Sequence, residues 1–399
     1  MNQKIPLYPA DILLPNDGFE AWSVIACDQF TSQPEYWQSL AASIGDAPST
    51  LNLILPEVYL EDHPEARTEA INQTMRAYLD AGIFNEYKNA MIYVERTLKN
   101  GSIRRGIVAA VDLEAYDFTK GSSALIRATE GTVLERIPPR VKIREGAPLE
   151  LPHVMLLIDD EAKAVIEPLA DTADTYPKLY DFTLSAGGGS ICGRLLDESA
   201  QECIMSALAP LAEGENPLVF AVGDGNHSLA TAKTCYEQNG KNPLSRYALV
   251  EIVNIHDSAL EFEPMYRVLF NCDPTDVTAY LKAHADDGED SQKITCITAD
   301  GEQTISLSRT SNLPVGTLQH LIDDYIKAHP GVTVDYIHGI DVTRTLASEP
   351  GRIGFLFEGM KKTELFETVR CDGALPRKTF SMGEAADKRY YLEARRISE

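Results

Sequence analysis

The clearest pattern in the chain is an apolar run at residues 218–222, followed by a polar turn and then by a helical pattern. A continuous apolar run of this length predicts a strand that is buried on both faces. Residues 229–237 favour a helix, which the Asn-Gly pair at 239–240 would stop. We expect Asn226 or Ser228 to cap its first turn. The stretch therefore predicts a strand, a tight turn and a helix whose first main-chain N–H groups face outward.

Several other segments carry equally regular patterns. Apolar positions at helical spacing predict a helix over residues 65–80. Residues 91–98 and 102–111 favour strands, and Asn100-Gly101 between them is typical of a hairpin turn. These elements predict an α+β fold with a mixed-sheet core.

The pattern of apolar and polar residues changes after residue 272. An acidic, weakly apolar stretch at 286–291 indicates an exposed loop, and a second hairpin is expected around Asp300-Gly301. Residues 318–326 carry a clean helical spacing. We therefore predict a core domain with inserted segments over residues 1–265 and a smaller C-terminal α+β domain over residues 266–399.

Composition limits the classes of function. The 399 residues include 36 Lys and Arg against 60 Asp and Glu, a net charge of −24. So acidic a chain repels nucleic-acid phosphates, which argues against DNA binding. Seven scattered cysteines without a Cys-x-x-Cys pair favour a reducing cytoplasm, and no apolar run has membrane-spanning length. The usual glycine-rich loops for NAD and for nucleotide triphosphates are also absent from the sequence.

The polar turn contains several different functional groups. A carboxylate, an amide, an imidazole and a hydroxyl fall within five residues, which are Asp224, Gly225, Asn226, His227 and Ser228. Main-chain N–H groups and the helix dipole favour anions at the start of a helix. Two interpretations stay open, an ordinary capped connection and a phosphate site.

Two further stretches carry candidate chemistry. Asp28 follows an apolar, strand-like run at 22–27, where it would be either a catalytic carboxylate or a structural cap. Residues 127–144 hold four arginines and one lysine but only two acidic residues. This excess of positive charge indicates either a solvated face or a pocket for a phosphorylated ligand, because guanidinium pairs bidentately with phosphate.

The turn resembles the Asp-Gly-His-His-Arg turn of a bacterial and archaeal family catalogued as domain of unknown function 1015, which is related to the ParB and free-serine-kinase superfamily. Here Asn226 and Ser228 stand where that family has the first His and the Arg. Asp28 matches the last residue of the family's Pro-Tyr-Asp. Further matches follow in the same order along the chain, at Glu130, Thr132, Arg140, Arg267 and Lys378.

The resemblance implies a ParB/sulfiredoxin-like core and phosphoryl chemistry. It implies a nucleotide-dependent phosphotransferase that acts on a small hydroxylated amino acid, similar to a free-serine kinase, with Mg²⁺ and ATP or ADP as cofactors. Asp28, Glu130 and His227 are the implied catalytic residues. The implied phosphate or nucleotide ligands are Asp224, Gly225, Asn226, His227, Ser228, Thr132, Arg140, Arg267 and Lys378.

Two alternatives to a kinase stay open. One is a phosphohydrolase of the phosphoserine type, which would use water as acceptor in the same anion pocket. The other is a non-catalytic nucleotide or ligand sensor in the manner of ParB. The expected partners are a small phosphate or amino-acid ligand and a second copy of the chain in a homodimer, without DNA or membrane.

Overall fold

The computed structural model of the chain describes residues 4–31, 33–60, 62–131, 137–383 and 385–398. They form two units, one from the stretches 1–260 and 384–399 and the other from 261–383. This division differs from the predicted one into 1–265 and 266–399. The physical reason is strand pairing, because Tyr390–Tyr391 pairs with Val24–Ile25 and Arg395–Arg396 pairs with Leu149–Glu150. The end of the chain therefore belongs to the unit that contains its beginning.

The first unit contains a large mixed sheet and helices on both of its faces. Its described helices are α1 (Phe19–Trp22), α2 (Pro34–Ile44), α3 (Pro64–Asp80), α4 (Ile137–Glu145), α5 (Leu169–Thr172), α6 (Glu198–Leu208) and α7 (Asn226–Gln238). Its described strands are β1 (Leu7–Tyr8), β2 (Ala10–Pro15), β3 (Val24–Ile25), β4 (Phe84–Ala90), β5 (Ile92–Thr97), β6 (Ile103–Asp112), β7 (Tyr116–Asp117), β8 (Ile126–Arg127), β9 (Leu149–Glu150), β10 (Met155–Ile158), β11 (Lys178–Thr183), β12 (Ser190–Leu195), β13 (Phe220–Asp224) and β14 (Tyr247–Asn254).

The strand order in this sheet is β11-β12-β5-β6-β14-β10-β13-β8-β7, with β1 paired to β6. The pairs β10–β14, β13–β8 and β7–β8 are parallel, and the remaining pairs are antiparallel. The predicted hairpin is confirmed, since β5 and β6 pair across the Asn100-Gly101 turn. The fold is therefore of the mixed α and β class, while the ParB-like character of this core stays a prediction.

The alternation of side chains along β6 builds two cores. Ile107, Ala109 and Val111 enter one apolar cluster, and Val108 and Ala110 enter the other. Successive residues of a strand point to opposite faces, so a fully apolar strand needs cover on both sides. Helices α6 and α7 contribute to the first cluster and helix α3 to the second.

The second unit is built on an antiparallel sheet. Its helices are α8 (Pro274–Lys282), α9 (Pro314–Ala328), α10 (Ile340–Ala347) and α11 (Glu364–Asp372). Its strands are β15 (Phe262–Phe270), β16 (Gln292–Thr298), β17 (Gly301–Leu307), β18 (Thr333–His338), β19 (Arg352–Leu356) and β20 (Phe380–Met382). The strand order is β17-β16-β19-β15-β18, with β20 also paired to β15. The hairpin predicted around Asp300-Gly301 is confirmed as β16 and β17.

Two short strands complete the first unit, β21 (Tyr390–Tyr391) and β22 (Arg395–Arg396). They place the last described residues beside β3 and β9, which flank the candidate site. Among the described helices, none is both long and apolar enough to cross a membrane.

Candidate functional site

The predicted strand, turn and helix are confirmed as β13, a turn at Gly225 and α7. Gly225 has φ +85°, and a Cβ atom there would lie 3.0 Å from the Cα atom of Val154. Glycine meets both conditions without strain, whereas the left-handed region and the close approach each disfavour a side chain. The Asp224 carboxylate accepts a 2.8 Å hydrogen bond from the Gly225 N–H group. The turn is therefore closed by its backbone and by Asp224.

The prediction that Asn226 or Ser228 caps α7 is wrong. Gly225 itself occupies the capping position, and no side chain there bonds the first turn. The Asn226 side chain instead accepts a 3.2 Å hydrogen bond from the Thr129 N–H group and donates one of 3.3 Å to the Thr129 hydroxyl. Asn226 therefore ties the turn to the segment after β8, in which Glu130 lies.

Lys388 is a site residue that the sequence reasoning missed. Its ammonium group lies 3.0 Å from a carboxylate oxygen of Asp224, with side-chain exposures of 20% and 16%. Burial by itself lowers the pKa of Lys388, but three carboxylates outweigh it and hold that pKa above its usual value. These carboxylates are those of Asp224, Asp28 and Glu130. Lys388 is thus a cation at neutral pH beside the turn.

Asp28 is held as a carboxylate at the same place. It accepts a 3.0 Å hydrogen bond from the Gln29 side chain. Burial by itself raises the pKa of Asp28, but the charges of His153 and Lys388 and the Gln29 bond bring it below its usual value. The predicted strand before Asp28 is shorter than expected, because Trp22 ends α1 and β3 spans only Val24–Ile25.

His153 connects Asp28 to the first turn of α7. Its side chain is buried, with an exposure of 6%. Its Nε2 atom lies 3.3 Å from the Ser228 hydroxyl and its Nδ1 atom 2.8 Å from the Tyr391 hydroxyl. The Tyr391 hydroxyl donates a 3.0 Å hydrogen bond to the sulfur of Cys27. Burial raises the pKa of Cys27 to about 12, so this thiol keeps its proton.

A cavity of about 170 Å³ lies behind these residues. Cys27, His153, Ser228 and Tyr391 line it on one side. Its other walls are mostly apolar and come from the segment 53–60 and from α3, α4, β9, α7 and β14, with Leu53, Ile54, Leu55, Ile71, Met75 and Leu249 among them. The cavity therefore has a polar side, formed by these four side chains, and an otherwise mostly apolar lining.

The described arginines of the cationic stretch 127–144 are engaged with protein groups. Arg140 forms an ion pair with Glu57, and Arg144 forms one with Glu150. Arg127 is buried and donates to the Asn216 side chain and to main-chain oxygens. The charges of Arg140 and Arg144 are thus offset locally, and the role predicted for Arg140 as a phosphate ligand stays a prediction.

The remaining predicted residues fall into three groups. Glu130 lies in the electrostatic field of Lys388, and the main-chain oxygen of His227 accepts a hydrogen bond from Thr231. Thr132 lies outside the described residues. Arg267 and Lys378 belong to the second unit.

In that second unit, Arg267 is fully buried and donates to main-chain oxygens of Arg377 and Lys378 and to the Gln319 side chain. Its guanidinium also lies 4.6 Å from the centre of the Tyr336 ring. These contacts hold the segment 377–378, whereas the Lys378 side chain is exposed.

No group of three or more His, Cys, Asp or Glu side chains among the described residues is arranged to hold a metal ion. Mg²⁺ at phosphate sites is commonly held by one or two carboxylates, with phosphate oxygens and water completing its shell. Asp28 and Asp224 fit that smaller role, which needs a bound phosphate to supply the other ligands.

The comparisons with known proteins identify the family. The family described as "Protein of unknown function (DUF1015)" matches residues 7–368, and the chain belongs to it. No curated protein matches the sequence.

Solved structures show a more distant likeness. A free serine kinase in complex with AMP is 11% identical, with 71% of this chain and 90% of that chain covered and a TM-score of 0.40. A mutant free serine kinase in complex with ADP is 11% identical, with 71% and 91% covered and a TM-score of 0.41. A conserved hypothetical protein from Pyrococcus furiosus is 13% identical, with 71% and 93% covered and a TM-score of 0.38. Similarity at this level does not establish a shared activity.

Proposed function

We propose that the protein is a nucleotide-dependent phosphotransferase that acts on a small hydroxylated amino acid, with serine as the first candidate. The observation that carries the proposal is the charge cluster around Lys388. A half-buried ammonium group lies among three carboxylates, directly beside the first turn of α7. Phosphoryl transfer needs these parts, because it depends on positioned phosphates, a cation that offsets their charge and a carboxylate near the accepting hydroxyl.

Each part of the cluster has a distinct role in the proposal. The main-chain N–H groups at the start of α7 would hold phosphate oxygens. Lys388 would exchange part of its contact with Asp224 for a phosphate, which keeps its charge compensated. Asp28 is ionised at neutral pH and would accept the proton of the substrate hydroxyl, with Glu130 as the second candidate for this role.

The cofactors follow from the same charges. Three carboxylates repel a nucleotide, so Mg²⁺ carried by ATP or ADP would reduce the repulsion, with Asp28 or Asp224 as its protein ligand. Mg²⁺ would supply charge neutralisation of the phosphates. The family resemblance also supports a nucleotide at this turn. The homodimer and the roles of Thr132, Arg267 and Lys378 remain predictions within this proposal.

The test is ³¹P NMR of the purified protein with Mg²⁺, serine and either ATP or ADP, beside a sample with O-phosphoserine alone. We expect a phosphoserine signal in the first sample. Lys388→Met should lower its rate of formation by about 10²–10³-fold, as does loss of one charge-stabilising donor in other enzymes. Lys99→Met, at an exposed lysine of the β5–β6 turn, is the matched control and should keep the wild-type rate.

Three results would contradict the proposal. Orthophosphate released from O-phosphoserine alone would identify a phosphohydrolase. Nucleotide binding without any turnover would identify a sensor. A wild-type rate in Lys388→Met would show that the charge cluster does not take part in the reaction.

A further inference from the structure

Ser228 and His153 form a pair that phosphoryl transfer does not require. Ser228 lies in the first turn of α7, and His153 lies just before β10, 75 positions earlier in the sequence. Their side chains meet at 3.3 Å, between the Ser228 oxygen and the Nε2 atom of His153. A hydroxyl within reach of an imidazole is the usual start of an activated nucleophile, and such bonds are often long before substrate binds.

The hydrogen bonds behind His153 hold its ring in place. The Tyr391 hydroxyl lies 2.8 Å from Nδ1 of His153 and 3.0 Å from the Cys27 sulfur. In the tautomer that the proposal uses, Nδ1 donates its proton to the Tyr391 oxygen and Nε2 presents its lone pair to Ser228. The main-chain N–H group of Cys27 also donates to the Tyr391 oxygen and holds the phenol in place.

A carboxylate lies in the electrostatic field of this histidine. Burial by itself raises the pKa of Asp28, yet the positive charge of His153 is the largest of the effects that bring it down. In the proposal, the Asp28 carboxylate offsets the positive charge that the ring gains when Ser228 loses its proton. Tyr391 orients the ring and Asp28 supplies the charge, two tasks that a single aspartate performs in other serine enzymes.

The cavity indicates what the hydroxyl would attack. Ser228 and His153 both line it, and its walls are mostly apolar, with Leu and Ile the commonest residues. The charged groups Glu57, Arg140, Arg144 and Glu150 in the lining form ion pairs with one another. An apolar cavity of about 150 Å³ holds a molecule the size of benzene. At about 170 Å³ this cavity is the right size for a short acyl chain, and its interior suits an apolar group better than a phosphate.

We propose that Ser228 and His153 are the nucleophile and general base of an acyl-transfer activity, the hydrolysis of carboxylic esters that carry a short apolar acyl group. This activity is separate from phosphoryl transfer and needs no nucleotide. The acyl chain occupies the cavity, and the ester carbonyl lies at the Ser228 hydroxyl.

The reaction proceeds in two balanced steps. The Ser228 oxygen forms a bond to the carbonyl carbon and passes its proton to Nε2 of His153. The bond between that carbon and the alcohol oxygen then breaks, and the alcohol leaves with the proton from Nε2. Water next attacks the acyl carbon and gives its proton to Nε2, and Ser228 leaves with that proton as the carboxylic acid is released. Main-chain N–H groups in the first turn of α7 adjoin Ser228 and are suited to stabilise the oxyanion.

The primary test uses the intact full-length protein. It is incubated with a fluorophosphonate probe, whose phosphorus bonds covalently to activated serine oxygens with loss of fluoride, and the adduct is located by peptide mass spectrometry. We expect one adduct, at Ser228. A protein that stays unlabelled, or that is labelled at other serines to the same extent, overturns the proposal.

The second test measures hydrolysis of p-nitrophenyl butyrate in the absence of nucleotide. We expect Ser228→Ala to remove the enzymatic rate, and His153→Ala to lower kcat by about 10²–10⁴-fold. Ser206→Ala, at an exposed serine of α6, is the matched control and should hydrolyse at the wild-type rate. Wild-type turnover by Ser228→Ala overturns the proposal. If His153→Ala fails to fold, the fluorophosphonate adduct on the wild-type protein still tests the proposal.

Discussion

Two adjacent residues, Lys388 and Arg389, carry positive charge into very different surroundings. Arg389 is almost fully buried, with its guanidinium 2.8 Å from the Glu251 carboxylate and 2.7 Å from that of Glu393. Arg104 lies 3.6 Å from the other Glu251 oxygen. The side chains in this network are at most 5% exposed, and opposite charges alternate within it.

Around Lys388 the positive and negative charges do not balance, and the cluster is partly exposed to solvent. Its positive charge faces the three carboxylates of Asp224, Asp28 and Glu130, with His153 also acting on Asp28, and its side chain keeps 20% of its surface exposed. A buried charge without a partner is very costly, so the network of Arg389 has to be complete for the chain to fold. The proposed function has the cluster at Lys388 accept a further ligand. The two clusters thus differ in charge balance and in exposure, not in residue type.

The largest effect that would sharpen this comparison is expected at Asp28. Asp28→Asn removes the proposed base and should lower the rate of phosphoserine formation by about 10²–10⁴-fold. Asp46→Asn, at an exposed aspartate, is the matched control and should keep the rate. ³¹P NMR time courses measure both variants. Equal rates in the two would place the proton acceptor elsewhere, with Glu130 as the next candidate.

The opposite result is expected at Arg389. Arg389→Met removes the buried ion-pair partner of Glu393 and leaves Glu251 with Arg104 alone, so the free energy of unfolding should fall by about 3–5 kcal/mol. Arg396→Met removes an exposed arginine from the same segment and should change the stability by less than about 0.5 kcal/mol. Urea denaturation followed by circular dichroism compares the two. A loss at Arg389 no larger than at Arg396 would contradict the structural role of the network.

A smaller effect is expected at the turn that Lys388 adjoins. Gly225→Ala forces a side chain into the left-handed region, at about 1–2 kcal/mol, and places its Cβ atom against Val154. Gly214→Ala shares a positive φ of +102° but meets no atom within 4 Å. The variant at 225 should therefore be less stable than the variant at 214, and the difference measures the close approach. Thermal unfolding at pH 7 tests this, and equal stabilities would mean that the contact is easily relieved.

The smallest expected effect is on pH dependence. The pKa of Asp28 is lower in the folded protein than its usual value near 4, so its charge stabilises the fold above that pH. This contribution is lost as the pH falls through the lowered pKa, by about 1.4 kcal/mol for each unit of lowering. Asp28→Asn lacks it, so between about pH 5 and pH 2 the variant should lose less stability than the wild type. Urea denaturation at several pH values measures the difference, and parallel curves would contradict the lowered pKa.

Local patterns predicted the elements that surround the site. The apolar run before Asp224 and the helix after Gly225 are confirmed, as are the hairpin at Asn100-Gly101 and the helix over 65–80, which the structure gives as Pro64–Asp80. These predictions hold because burial on two faces, turn conformation and helical spacing each act over a few residues. The capping of α7 was wrong because Thr129, about 100 positions away, binds the Asn226 side chain.

The sequence by itself determined the strand, the glycine turn and the helix, and it placed Asp28, Asp224 and Ser228 among the candidates. Only the tertiary structure decided which cation joins them. It brings Lys388 to Asp224 across 164 positions and His153 to Ser228 across 75, through the pairing of β21 with β3 and the place of β10 beside β13. The sequence shows that His153 precedes an apolar run and that Lys388 precedes a strand-like segment. Neither pattern indicates which residue the side chain contacts. Such contacts depend on which strands pair, and pairing is settled by the packing of the whole core.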